Sequence, residues 1–274
     1  MPVKMEISPL KSEEIQSLSQ LQPEGWLDIR PVFTTHIGKD YFMAYKGEIN
    51  GYLVSVGHIM ICGQVAWLGN VIVHPSYRGK GLGTEMTQFL VNSIYSHGIQ
   101  SIYLLATSLG RPVYDKLGFH LHSHFLFSDI EIGANPLNVN ASIRLADEKD
   151  LKNIGDLDYK AMGYDRSRIL KHFLSDAWVY EDDNIKGFYI SSLGDGLIIA
   201  DDPQAGWALS LLRVVQGKRY LVVPELHHAR LIDQYGKNGL RLVKKKRIAY
   251  YMYLGMTPSY NPDMIFSRIG GYLG

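Results

Sequence analysis

Apolar residues fall at helical spacing in two stretches that open alike. Ile7-Ser8-Pro9-Leu10 leads into Ser12-Glu13-Glu14-Ile15, then Leu18 and Leu21. Ile143-Arg144-Leu145 leads into Asp147-Glu148-Lys149-Asp150-Leu151, then Ile154 and Leu157. Each predicts a short strand, a Ser or Asp helix cap and an amphipathic helix. A second matched pair is Ile49-Asn50-Gly51-Tyr52-Leu53-Val54-Ser55 and Ile185-Lys186-Gly187-Phe188-Tyr189-Ile190-Ser191. The separations from 7 to 143 and from 49 to 185 are the same, 136 residues. Two matches at one offset predict two domains of one architecture.

Between these anchors the first half alternates strand and helix. Tyr41 to Tyr45 and Gly51 to Met60 predict a hairpin about the turn Lys46-Gly47-Glu48-Ile49-Asn50, and Gln64 to Val73 a third, largely apolar strand. Leu82, Met86, Phe89, Leu90 and Ile94 share one helical face. Ile102 to Ala106 predicts a buried strand, Pro112 to Leu117 a short helix closed by Gly118, and Phe119 to Phe127 a last strand. The second half predicts strands at Ala177–Tyr180, Lys186–Ser192 and Tyr220–Val223, with helices at Ala205–Val215 and His228–Tyr235. Lys244-Lys245-Lys246-Arg247 reads either as a solvated strand end or as a patch for an acidic partner, and the flanking Leu242-Val243 and Ile248 to Tyr251 predict a hairpin. Residues 256–274, rich in Pro, Gly and Ser, carry no readable pattern. The turn-rich run Ile132 to Asn138 is the linker candidate. The expected class is therefore α/β with a mixed sheet, divided as 1–130, a linker at 131–140, and 141–274.

Composition narrows this picture slightly. At 46% hydrophobic and 20% charged, the 274-residue chain is ordinary for a folded protein. A net charge of +1 argues against a broad nucleic-acid footprint. Cys62 stands alone, so neither an internal disulfide nor a thiolate metal cluster is expected. No apolar run approaches the length of a signal core or of a membrane span, leaving a soluble cytoplasmic protein as the expectation. Oligomeric state is not legible.

The sharpest chemical signal is Asn70-Val71-Ile72-Val73-His74-Pro75-Ser76-Tyr77-Arg78-Gly79-Lys80-Gly81-Leu82-Gly83-Thr84. A strand runs into a three-glycine turn and then a helix. Such a turn aims successive backbone N–H groups into one concavity, and the helix N-terminus adds partial positive charge. A pyrophosphate suits that environment, with Arg78 and Lys80 adding charge-assisted contacts. The spacing Arg-x-x-Gly-x-Gly is neither the dinucleotide Gly-x-Gly-x-x-Gly nor a Walker loop. A second motif follows at Thr107 to Phe119, ending Tyr114-Asp115-Lys116-Leu117-Gly118-Phe119.

Together these segments resemble the acetyl-CoA motifs of the GNAT acetyltransferase superfamily, over residues 1–130. The resemblance implies that Val71, Ile72 and Val73 pair through their backbone with the pantetheine of acetyl-CoA. It implies that Arg78, Gly79, Lys80, Gly81, Leu82, Gly83 and Thr84 cradle the pyrophosphate, and that Tyr114 lies near the thioester sulfur. Thr107 stands where the family often has Asn, which puts its side-chain contact to pantetheine in question. The implied reaction is acetyl transfer to a small-molecule or peptide amine. No metal is implied.

That reaction sets two proton problems. A lysine-like amine has a pKa of about 10.4, so deprotonation at neutrality costs about 4.6 kcal/mol; a leaving thiolate of pKa about 8.5 needs only about 2 kcal/mol. Tyr114 suits the easier task, as general acid. For the harder one, His58, His120, His122 and a water chain are the candidates, each histidine also readable as an ordinary strand residue.

The second half resembles the additional GNAT-like domain of a bacterial group of tandem proteins, through Leu157-Asp158, Gly163-Tyr164-Asp165-Arg166 and Ala229 to Gly239. Ala200-Asp201-Asp202-Pro203 replaces the glycine loop, and two carboxylates there would repel a pyrophosphate. A degenerate domain without its own cofactor is expected. Asp165 and Arg166 read either as acceptor-recognition groups or as a local ion pair or helix cap. A sensor or scaffold that binds acetyl-CoA without chemistry, and an acyltransferase of different chain preference, remain the competing functions.

Overall fold

The hairpin between the second and third strands is set by two residues. Asn50 and Gly51 take φ of 51° and 78°, the left-handed pair that a two-residue hairpin demands. The strands differ from the sequence expectation: β2 (Phe42–Ile49) takes in Lys46 to Ile49 of the expected turn, and β3 (Tyr52–Cys62) starts after Gly51 and ends two residues beyond Met60. The structure, a computed structural model, describes residues 4–94, 97–133, 141–237 and 239–273, with Lys244 and Lys246 described by backbone alone.

The described chain divides into two compact units. The first reaches to Leu121 and takes in Met252–Thr257 and Gly271–Leu273; the second runs from His122 to Tyr251 and takes in Pro258–Gly270. The units therefore do not follow the chain-order division at 131–140. The last strand predicted for the first half, β6 (His120–Ile132), is longer than expected and pairs at Phe125–Asp129 with β11 (Tyr220–Pro224) in the second unit. Its end covers the first residues of the expected linker, and residues 134–140 of that linker lie outside the described ones.

In the first unit β1 (Glu6–Pro9), β2, β3 and β4 (Val65–Val73) form an antiparallel run, and β5 (Ser101–Ala106) joins β4 in parallel. The end of β12 (Leu240–Gly255) follows β5, and the Met256 N–H donates to Ser101 Oγ at 3.0 Å. Val54 to Met60 of β3 are buried without alternation, the pattern of a strand covered on both faces. On one face, a Cβ on Gly57 would meet Leu90 and Met86 of α2 (Leu82–Ile94). On the other, His58 packs against Phe33 of α1 (Arg30–His36). Ser12–Leu21 is a 3-10 helix rather than an α-helix. Its N-cap is Lys11, not Ser12, with the Glu14 carboxylate accepting the Lys11 N–H at 2.9 Å.

The second unit holds an antiparallel sheet ordered β13 (Ile265–Ser267), β10 (Leu197–Ala200), β9 (Asn184–Ile190), β8 (Ala177–Asp182), β7 (Ile143–Leu145). Its helices are α4 (Leu151–Met162), α5 (Ser167–Leu170), α6 (Pro203–Val215) and α7 (Glu225–Lys237). Tyr189, Ile198, Leu209, Val223, Leu231 and Tyr235 anchor a core between this sheet, α6, α7 and β11. The hairpin expected about Lys244–Arg247 is instead part of one uninterrupted strand, β12. No Gly, Pro, Asn or Asp stands there to turn the chain, so four cations continue it. Among the described residues, no helix is long and apolar enough to cross a membrane.

Candidate functional site

The site is organised by the point where β4 parts from β5. Their parallel register runs Val65↔Ser101 to Leu68↔Leu104 and stops. Two residues on, Asn70 takes φ of 47°, and the β3–β4 register shifts between Val56 and His58. A bulge of this kind bends a strand and breaks its ladder on one side. The Ile72 carbonyl accepts from Ser55 Oγ at 2.9 Å and the His74 N–H donates to Val54 O at 2.8 Å, so these backbone groups face β3. By strand alternation Val71 and Val73 face the other way, onto an edge with no strand beside it among the described residues.

That open edge runs into the glycine loop. Gly79 and Gly81 take φ of 74° and 84°, and a Cβ on either would meet nothing within 4 Å. The loop therefore needs glycine for its backbone, while the space above it stays open. Gly83 lies in ordinary contact range of Val73 and Val113 and seats the first turn of α2. Arg78 Nε donates to Val73 O at 3.1 Å, and Lys80 Nζ stands 5.0 Å over the Tyr77 ring and 3.5 Å from Ser76 O. Arg78, Gly79, Lys80 and Gly81 are exposed, Gly83 and Thr84 half-buried, and Leu82 is buried in the core. Val71, Ile72, Val73 and residues 78–84 thus form one continuous edge and turn.

Tyr114 lies on α3 (Arg111–Lys116), against Phe119 at 5.7 Å between centroids. Burial alone pushes its phenol above the ordinary value, so the group stays protonated across the physiological range. Thr107 precedes α3, and its Oγ1 accepts the Gly110 N–H at 3.1 Å. The hydroxyl is thereby engaged in starting the helix.

The histidines separate cleanly. His58 is fully buried among Phe33 and Phe42, at 5.5 and 4.9 Å, and desolvation pushes its pKa down to about 3. Neither ring nitrogen makes a hydrogen bond of ordinary geometry, although the nearby Tyr272 backbone favours the protonated ring slightly. So depressed a group is a weak base. His120 is exposed beside Tyr253, 5.6 Å away, and His122 is half-buried with its pKa lowered by burial. Cys62 is buried and takes part in no disulfide.

In the second unit, Asp165 and Arg166 have structural partners. Asp165 Oδ1 accepts the Ser167 N–H at 2.8 Å at the start of α5. Arg166 is buried and makes a two-point pair with Asp158 of α4, at 2.9 and 2.6 Å. The partner eight residues upstream sits on the inward face of α4, beside Leu157 and Ala161; an Asp on that apolar stripe is the signal that sequence reading passed over. Asp202 Oδ1 accepts the Ala205 N–H at 2.8 Å, capping α6, and Asp201 bridges to Lys160 at 3.0 Å. Asn70 was also passed over. A Gly-Asn pair inside an apolar strand is the sequence mark of such a bulge.

The acetyltransferase (GNAT) family model matches residues 11–119, a stretch lying wholly in the first unit. YitH, an uncharacterized N-acetyltransferase of Bacillus subtilis (strain 168), is 26% identical over 178 residues. That alignment covers 64% of this chain and 62% of YitH, so the chain spans about three fifths of that relative. A Pyrococcus horikoshii protein assigned as an acetyltransferase shares the fold over 98% of this chain and 96% of its own, with a TM-score of 0.79 at 20% identity. A tandem GNAT protein from the clavulanic acid biosynthesis pathway does so over 92% and 98%, with a TM-score of 0.61 at 10% identity. Residues 11–119 of this chain thus match the acetyltransferase (GNAT) family, and the chain as a whole shares its fold with a tandem GNAT protein.

Proposed function

We propose that the first unit binds acetyl-CoA and transfers its acetyl group to a primary amine. The observation that carries this reading is the unpaired inner edge of β4 leading, through the single 3-10 turn Pro75–Tyr77, into the open glycine turn. The pantetheine amides would pair with Val71 and Val73, and the pyrophosphate would take the N–H groups of residues 79–83 at the start of α2. Arg78 and Lys80 add charge at the rim.

In the transfer, the amine nitrogen attacks the thioester carbonyl and the C–N bond forms. The carbonyl oxygen gains negative charge, which the Val71 N–H on the open edge is oriented to receive. The C–S bond then breaks, the amine proton leaves through water, and the thiolate takes a proton. Tyr114 is the donor nearest in kind. With its pKa raised it acts as a hydrogen bond to sulfur before it acts as an acid.

A binding protein without chemistry is the competing function. Release of CoA thiol from acetyl-CoA, with and without a panel of primary amines, separates the two. Amine-dependent thiol release supports the transferase; binding with no release under any amine overturns it. Acyl-chain preference is read from the same assay with propionyl- and butyryl-CoA.

A further inference from the structure

The segment Gly271–Leu273, which carries no sequence pattern, belongs to the first unit. Leu273 is fully buried there. Tyr272 lies directly on Gly69: a Cβ built at Gly69 would stand 2.6 Å from Tyr272 Cβ and 2.5 Å from His58 Nε2. The Tyr272 ring stands 6.2 Å from His58 and 6.3 Å from His36. Gly69 is in turn the residue at which β4 leaves β5, immediately after Leu68↔Leu104 and before the positive φ of Asn70.

This contact sits at one defined end of the slot. With the pyrophosphate at residues 79–83 and pantetheine along Val73 to Val71, the thioester falls beyond Val71, toward Asn70 and Gly69. A strand advances about 3.3 Å per residue. The step from Val71 to Gly69 is thus about 7 Å, comparable to an acetyl thioester with a nitrogen at attack distance.

We propose that Tyr272 closes the acyl end of this slot and governs which nucleophile reaches the thioester. The inference rests on the acetyl-CoA reading above. Tyr272, half-buried, forms the wall, and Phe42 and the neutral His58 are buried behind it as an aromatic backing; the wall holds water away from the carbonyl while an amine enters from the open side. Gly69 is required because any side chain there would displace that wall. Tyr272 is a positioning residue, since it acts on the reaction through access to the carbonyl.

The test uses acetyl-CoA alone and needs no identified acceptor. Water attacking the thioester breaks the C–S bond, forms acetate and releases CoA thiol, which a thiol reagent counts. Tyr272→Ala should raise this amine-free hydrolysis about tenfold, with acetyl-CoA affinity by calorimetry within about twofold of wild type. Tyr272→Phe, which keeps the wall, should behave as wild type, and Tyr272→Leu should fall between. If Tyr272→Ala does not fold, the Leu and Phe variants carry the comparison. Hydrolysis that is unchanged across the series overturns the inference, as does a rise that tracks loss of melting temperature or of affinity. A wild-type protein that binds no acetyl-CoA overturns the functional reading instead.

Discussion

Two strand-to-helix junctions, one in each unit, share a frame and differ in what they can hold. β4 leads to α2 and β10 leads to α6, and both helices are 13 residues long. In the first unit the residues from His74 to Gly81 intervene; in the second only Asp201 and Asp202 do. The long turn carries two left-handed glycines, at either of which an added Cβ would meet nothing within 4 Å. The short turn uses its own carboxylate to satisfy the helix, through Asp202 to the Ala205 N–H. The strands differ as well. β4 is unpaired on its inner side beyond Leu68, whereas β10 is flanked by β9 and by β13, with Ile198↔Ser267 and Ile199↔Ile265. A Cβ on Gly206 would strike the Phe266 ring at 2.3 Å, so α6 is packed down on that added strand. The second unit has filled with its own chain the space that the first leaves open. An anion site at a helix start needs a turn long enough to aim N–H groups outward and donors that no capping side chain has taken.

The largest expected effect is at the first junction. Gly81→Asp imposes a side chain on a backbone with φ of 84° and puts a carboxylate where phosphate is to sit. Acetyl-CoA affinity should fall at least about a hundredfold, since like-charge repulsion adds to about 1–2 kcal/mol of backbone cost. Calorimetry showing wild-type affinity would break the comparison at its stronger half.

Next comes the second unit's buried pair. Arg166→Ala leaves Asp158 buried without its partner and should cost about 3–5 kcal/mol in urea unfolding. Acetyl-CoA affinity of the folded fraction should not change. A raised acceptor KM with no loss of stability would return Arg166, with Asp165, to acceptor recognition.

Tyr114→Phe should lower turnover about ten- to a thousandfold at unchanged acetyl-CoA affinity, the range of a general acid helping a fair leaving group. Single-turnover rates equal to wild type would leave Tyr114 as packing for Phe119. The smallest effect is at the second junction. Asp202→Ala removes the α6 cap and should cost about 0.5–2 kcal/mol of stability. It should create no second binding site, because β13 still covers β10. A second site in that variant would show that charge, rather than the added strand, closes this junction.

Much of this contrast was readable from residue order. The glycine spacing at 78–83 and the two aspartates at 201–202 distinguish an open turn from a capped one through local backbone chemistry alone. The apolar face that marks α2 follows from the same local rules. What the sequence did not show is long-range pairing. β6 and the end of β12 cross between units defined by contact, and nothing in their alternation names a partner strand. β13 is only three residues long, too short for a periodic signal. Tyr272 stands far along the chain from Gly69, and no spacing rule links them. Arg166 was legible as a polar cluster, but its partner Asp158 emerged only once α4 had a known inward face.

We infer that one junction of the two takes an acyl-CoA. Calorimetric titration of the whole chain with acetyl-CoA measures this directly. One site per chain is expected, absent in Gly81→Asp and retained in Asp202→Ala. Two equivalent sites per chain, or one site that survives Gly81→Asp unchanged, would contradict it.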